Sequence, residues 1–412
     1  MHRSGAGSAG AQLTRRAAWS CGLLLLLLLR ATPARAGDGP LSLPVDVHGF
    51  VSQGFFITTD NNYLARSKRG TFEFNEVGLN FTKSITDDLR VGMQLFARDL
   101  GPTGNYKPQF DWFYLDYHFR DWLGLRAGRT KLPFGLYNED SDIDAARVPI
   151  LLPQSVYPTT QRDFLLAQTG FELYGYVPLG GASAFDYRLY GGTIFVDNTT
   201  LAAPGATVRN IDVPYLAGGR AMWHTPLDGL RAGGSVQALR LNVDYTFDAP
   251  TLAVLKQGGV VPANFDGIFK YEVPALLWVA SVEYAAHDIL LAAEYSRWNL
   301  GYSTDPAIVP DGEVTATRWY VMGSYRAASW VSPGLYYSLF QNGLPGPNTR
   351  DKYQQDAAFT LRFDITQNWL VKLEEHYMRG TASLTAGLNS GQSPATLTRD
   401  WGVFMLKTTA YF

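Results

Sequence analysis

Leu89-Arg90-Val91-Gly92-Met93-Gln94-Leu95-Phe96-Ala97-Arg98 is the stretch on which the fold turns. Every odd position is apolar, and the even positions hold two arginines, a glutamine, a glycine and one phenylalanine. Successive side chains of a β-strand point to opposite faces, so a strand sorts this pattern into one apolar and one polar face, which a helix cannot do. Residues 230–238, 356–365 and 369–374 read the same way, each with its charges on one face. Such strands fit two architectures. In a soluble sandwich or small barrel the apolar face points inward. In a membrane barrel it points to lipid and the polar face lines a wet lumen.

The N-terminus, the number of strands and the C-terminus select the membrane version. Residues 1–36 read as an export signal: Arg15 and Arg16 form a basic start, Ala17 to Leu29 an apolar core with seven successive leucines, and Ala34-Arg35-Ala36 a small-x-small cleavage site. The mature chain is then 37–412, exported by the ordinary secretory route because a barrel must stay unfolded until insertion. Beyond residue 36 nothing approaches 18 consecutive apolar residues, so no membrane-spanning helix is expected. The single cysteine, Cys21, lies inside the signal, which leaves the mature chain without thiol or disulfide chemistry. Five of the 35 basic residues also lie there, so the mature chain carries 30 bases against 37 acids, a net charge of −7. That excludes a nucleic-acid footprint.

Tight turns at 86–88, 120–122, 179–181, 226–229, 286–288, 326–329 and 366–368 alternate with longer segments rich in Gly, Pro and Asn, such as Asp197 to Val213, Asn242 to Pro274, Gly301 to Thr315 and Arg379 to Arg399. Short periplasmic turns and long external loops are what a bacterial barrel requires. Seven turns pair fourteen strands; terminal strands at 45–57 and 401–412 bring the count to about 16. The fold class is therefore all-β, a transmembrane antiparallel barrel. Phe55-Phe56, Trp112-Phe113-Tyr114, Trp319-Tyr320, Tyr336-Tyr337, Trp369 and Trp401 read as aromatic girdles at the headgroup level. Lipid offers no hydrogen bonds, so the last strand must close on the first. It places Phe404, Leu406, Thr408, Ala410 and Phe412 on one face, and Phe412 is expected to pair beside Val47–Ile57. A strand that stops on a terminal Phe resembles the recognition signal of the outer-membrane assembly machinery.

One connection stands apart. After the strand Gly124–Lys131, residues 132–167 carry no alternation, and a loop of that length is unusual unless it is functional. It follows the fifth strand, where it could fold into the lumen as a constriction. Gly128-Arg129-Thr130-Lys131-Leu132-Pro133-Phe134-Gly135 resembles the Gly-Arg…Pro-Phe-Gly signature of Gram-negative porins, including the phosphate-selective branch. Phe74-Asn75-Glu76-Val77-Gly78-Leu79 and Leu115-Asp116-Tyr117 fit the same superfamily. The resemblance implies sixteen strands, the third loop inside the pore, and homotrimers in a bilayer with lipopolysaccharide.

On that reading the loop contributes Glu139, Asp140, Asp142 and Asp144, and the facing wall contributes Arg90, Arg98, Arg126, Arg129, Lys131 and Arg188. Opposed rings of charge would set up a transverse field that filters small hydrophilic solutes. Glu76, Asp116, Glu172, Asp186, Glu283, Glu294, Asp356, Asp364 and Glu374 share the lumen, so the expectation is a mixed, weakly selective pore for passive diffusion, with a phosphate channel among the rivals. The rivals are a solute-specific channel for anions or sugars, with Tyr245, Phe247, Phe265 and Phe269 as stacking surfaces, and a barrel hydrolase. The five mature histidines, His48, His118, His224, His287 and His376, sit in no hydrolase motif. The sequence points to no metal or cofactor. The alternating carboxylates of Asp140–Asp144 lack the glycine and distal glutamate of a calcium loop.

Overall fold

The last strand closes on the first. Phe412 and Gly49 exchange two backbone hydrogen bonds of 3.0 Å, and the register continues from Phe50 opposite Tyr411 to Thr58 opposite Val403. The computed structural model describes residues 44–196, 201 and 205–412, so the expected signal, 1–36, lies outside the described residues.

Sixteen antiparallel strands form one closed barrel in chain order. They are β1 Asp46–Thr58, β2 Asn75–Ser84, β3 Leu89–Asp99, β4 Gln109–Arg120, β5 Leu123–Lys131, β6 Ala167–Gly180, β7 Ser183–Thr193 and β8 Ala206–His224, then β9 Leu230–Phe247, β10 Ile268–Ala286, β11 Ile289–Asp305, β12 Gly312–Tyr325, β13 Val331–Gln341, β14 Tyr353–Thr366, β15 Trp369–Gly380 and β16 Asp400–Tyr411. The count of sixteen and all seven tight turns match the sequence reading. At the β10–β11 turn both His287 and Asp288 have positive φ, 54° and 62°, the geometry of a two-residue hairpin whose twist suits its strands.

The outer face is the apolar one. On β3, Met93 is exposed while Gln94, Phe96 and Arg98 are buried inside. On β10 the outward residues Leu276, Trp278, Ala280, Val282 and Tyr284 span eight steps of about 3.3 Å, roughly 20 Å of membrane thickness at a strand tilt of about 40°. Exposed rings ring the tight-turn end at Trp122, Trp223, Tyr325, Trp330 and Trp369, and the loop end at Phe110, Tyr215, Tyr295, Tyr377 and Phe404. The expected girdle thus exists with a changed membership. Phe56, Tyr320, Tyr336 and Trp401 are buried inside the barrel, because neighbouring residues on a strand face opposite ways and only one of an aromatic pair can reach lipid.

Strands β8 to β11 run 17 to 19 residues, longer than the 9 to 14 of the others. Parts of the segments read as loops at 197–213, 242–274 and 301–315 are therefore strand. On β9 the apolar residues change face. Val236 and Ala238 point outward, but Leu239, Leu241, Val243 and Tyr245 point inward while Arg240, Asn242 and Asp244 point out. Above the lipid the outer face meets water and its alternation inverts, so a search for apolar-out strands stops at Ala238. A short helix, α1 Ala249–Gln257, tops this hairpin; Asp248 caps it by accepting from the Thr251 amide at 2.8 Å.

Candidate functional site: the channel lumen and its internal loop

Residues 132–166 lie inside the barrel. Their two ends are joined by a bond from the Leu132 amide to the Leu166 carbonyl, 3.0 Å, and the Asn138 side chain ties the Leu132 carbonyl at 2.8 Å. Gly135, at φ +67°, turns the chain against the wall. Its amide donates to Ser235 Oγ of β9 at 2.9 Å, and a Cβ there would stand 2.8 Å from the Glu294 carboxylate. Glycine is therefore required on conformation and on space. Glu294 of β11 also accepts from the Leu136 amide at 2.9 Å, from the Tyr320 hydroxyl at 2.8 Å and from the Tyr157 hydroxyl.

Three of the loop's acids meet cations, each on a different wall. Glu139 accepts from Arg188 of β7 and Arg220 of β8, both at 2.9 Å. Asp142 pairs with Lys131 of β5 and with Arg162, both at 2.9 Å, and Arg162 forks onto Asp111 of β4. Asp144 reaches across the lumen to Lys372 of β15 at 2.9 Å and Thr409 of β16 at 2.6 Å. Lys372 is fully buried and also donates to the Asp144 and Arg147 carbonyls. Beyond this, Arg362 of β14 donates to the Ala145 carbonyl at 2.6 Å, and Glu374 of β15 accepts from the Ile150 and Leu151 amides. Burial alone would raise the carboxyls of Asp142 and Asp144. The cations around them, Arg162 and Lys131 for the first, Lys372, Lys407 and Arg147 for the second, outweigh it and hold both well below the usual range.

A second chain of charges follows the wall. Asp116 accepts from Arg90 at 3.0 Å and Arg126 at 3.2 Å; Glu172 accepts from Arg126 at 3.0 Å and Arg188 at 3.1 Å; Arg188 leads through Glu139 to Arg220, Asp186 and His224. Glu139 of the loop is thus one link of a belt that runs from β3 to β8.

These contacts correct the expected field. The acids and bases are paired at contact distance, not held apart across an open gap. Removing a carboxylate from water costs several kcal/mol, roughly, unless a cation or donors replace the water, and the loop supplies that replacement residue by residue. Arg90, Arg126 and Arg188 join the inner-face ion pairs, and Arg98 is buried on the inner face of β3. Arg129 does not join them: it sits opposite Phe113 and Thr169 in the outer-face register, its Nε donating to the Asp111 carbonyl at 2.9 Å. Strict alternation from Arg126 puts residue 129 on the other face. Lys131, also of that parity, reaches inward only because it ends its strand. Asp140 is exposed and enters no ion pair among the described residues. Desolvation by the surrounding wall, and Glu139 beside it, push its carboxyl above the usual range. A calcium loop at 140–144 is not formed, since Asp142 and Asp144 point to opposite walls and are taken by cations; no metal-holding group occurs among the described residues.

The sequence reading missed Arg162, Arg220, Lys372 and Lys407. Lys372 and Lys407 lie in strands it had identified, on the face it assigned to water. Their role needed the partner across the lumen. Two cavities flank the loop. One of about 200 Å³ is lined by Asn80, Gln94, Trp112, Tyr114, Arg126, Lys131 and Asp140. One of about 450 Å³ toward the tight-turn end is lined by Arg147, Pro149, Asp288, Arg326, Arg362 and Asp364.

A closed barrel of sixteen strands with a lipid-facing belt is the architecture of a bacterial outer-membrane protein, and with the third loop inside it is the porin fold. No protein-family model matches the chain, and no curated protein matches it in sequence. Solved structures do. Outer-membrane expressed OmpT of Vibrio cholerae is similar at a TM-score of 0.55 and 11% identity, over 89% of this chain and 97% of that one. The anion-selective porin from Comamonas acidovorans is similar at 0.53 and 11%, over 90% and 99%. The outer membrane channel DcaP of Acinetobacter baumannii is similar at 0.53 and 14%, over 92% and 99%. At these identities the likeness is one of fold.

Proposed function

We propose that the barrel is a passive diffusion channel for small hydrophilic solutes and ions, narrowed by residues 132–166 and weakly selective by charge. The observation that carries this reading is the loop itself. A polar segment is held across the lumen by ion pairs to β5, β7, β8 and β15, with water-sized space left on both sides of it. A structural barrel needs no such internal strut. The charge that a solute meets is mixed, because most lumenal cations already touch an acid. In planar bilayers the purified protein should give steady conductance and a small reversal potential in a salt gradient. Absence of conductance would refute the channel, and strong anion preference would refute the weak selectivity.

The reading extends to homotrimers, to contact with lipopolysaccharide and to a non-enzymatic role. His376, the histidine most embedded in acids, is fully buried between Asp356 at 2.9 Å and Glu374 at 3.0 Å. Phe412 serves assembly: its ring is largely exposed at the barrel's outer edge, so its deletion should lower the yield of heat-modifiable barrel far more than it alters conductance. Equal yield would exclude that role.

A further inference from the structure

Arg318 is a lumenal cation that no ion pair among the described residues includes. It lies on the inner face of β12, 4% exposed, and no carboxylate pairs with it among the described residues. Its guanidinium is sandwiched 3.7 Å over Trp298 and 4.2 Å over Phe340. One amino group donates to the Ser155 carbonyl at 2.9 Å, and the other meets the Gln161 amide oxygen at a long 3.4 Å. The Nε of Arg318 and the indole N–H of Trp298 are buried without any partner. A buried guanidinium with five donors and so few acceptors is an unfilled anion site.

The approach to it is apolar. Toward the loop end, Ala316 and Leu300 follow on the same inner face, beside Val273 and Tyr271 of β10. An inorganic anion would gain nothing from that lining, whereas a planar carboxylate bearing a ring or short alkyl chain matches both parts: fork to carboxylate, apolar body to wall. From this geometry we infer that the channel holds a binding site for apolar carboxylates, with Arg318 and the Trp298 N–H receiving the carboxylate. Gln161 is its lid, an amide oxygen standing where a carboxylate oxygen would bind. The inference deepens the channel reading by naming a solute class.

Equilibrium binding tests it without relying on conductance. Titration calorimetry of the detergent-folded barrel with benzoate should show binding at least tenfold tighter than with benzamide, which lacks the charge, or acetate, which lacks the ring. Arg318→Gln should weaken benzoate at least tenfold. Trp298→Phe, which keeps the stack and loses the N–H, should weaken it a few-fold, and it carries the test if Arg318→Gln fails to fold. Gln161→Ala should tighten binding, an effect that a purely structural arginine would not give. No benzoate binding, equal binding of benzoate and benzamide, or indifference to Trp298→Phe and Gln161→Ala would overturn the site. Binding in a barrel that conducts no ions would instead remove the channel reading and leave the site standing.

Discussion

The charged belt from β3 to β8 and the apolar inner lining of β8 to β12 belong to one barrel, yet they hold the internal loop in opposite ways. On the belt side the loop is fastened by discrete pairs, Glu139 to Arg188 and Arg220, and Asp142 to Lys131. On the other side Leu132, Phe134, Leu136, Leu152 and Val156 pack into a cluster with Leu239, Leu241, Leu277 and Tyr320. Pairing is directional and breaks as a unit when one partner is lost. Apolar packing is roughly proportional to area and fails by degrees. The loop is thus positioned by charge on one side and given its stability by burial on the other.

The sharpest way to break the comparison is at the far clamp. Lys372→Met leaves Asp144 buried without its closest cation and should cost about 3–5 kcal/mol of unfolding free energy, with noisier single-channel current. Adding Asp144→Asn should recover part of that loss, which a denaturant double-mutant cycle would read directly. A next, overlapping range applies on the apolar side: Leu241→Ala should cost about 2–5 kcal/mol through its cavity and leave the reversal potential unmoved. A shift in reversal potential would show that the two regions are coupled.

Acidification separates them further. Asp142 and Asp144 ionise below the ordinary value of 3.8, so their clamps contribute stability that is fully present above that pH and lost as pH falls through their lower folded values. Asp140 is raised, so it takes up its proton first. On lowering the pH, ion selectivity should change before stability does; simultaneous loss of both would contradict the assignment. The smallest effect is expected at Glu139→Gln. It takes one of the two acids from each of Arg188 and Arg220 in a partly exposed place, leaving them on Glu172 and Asp186, should cost about 1 kcal/mol or less, and should move the reversal potential toward anion preference.

How much of this was legible varies with the range of the interaction. The inward parity of Arg90 and Arg98 followed from their lipid-facing neighbours on β3, because an arginine toward lipid at mid-membrane costs roughly 2–4 kcal/mol. The position of Arg129 was misread by ignoring the same parity. The upper half of β9 was misread because Leu239 to Tyr245 alternate in the opposite phase, and only the height of the membrane tells which phase faces water. The acids at 139–144 were recognised as lumenal, but as a free rim and not as clamps.

The sequence by itself determined the barrel: period-two alternation, seven tight turns, and a terminal strand that must find the first. These are local, since a strand's faces depend on its own residues and on lipid having no hydrogen bonds to offer. Only the tertiary structure decided what the lumen holds. Closing sixteen strands into a ring brings Asp144 beside Lys372 and Ser155 beside Arg318, residues far apart in the chain, and leaves Arg318 without an acid among the described residues. Whether two charges pair or stand apart depends on the distance across that ring, which no local pattern encodes.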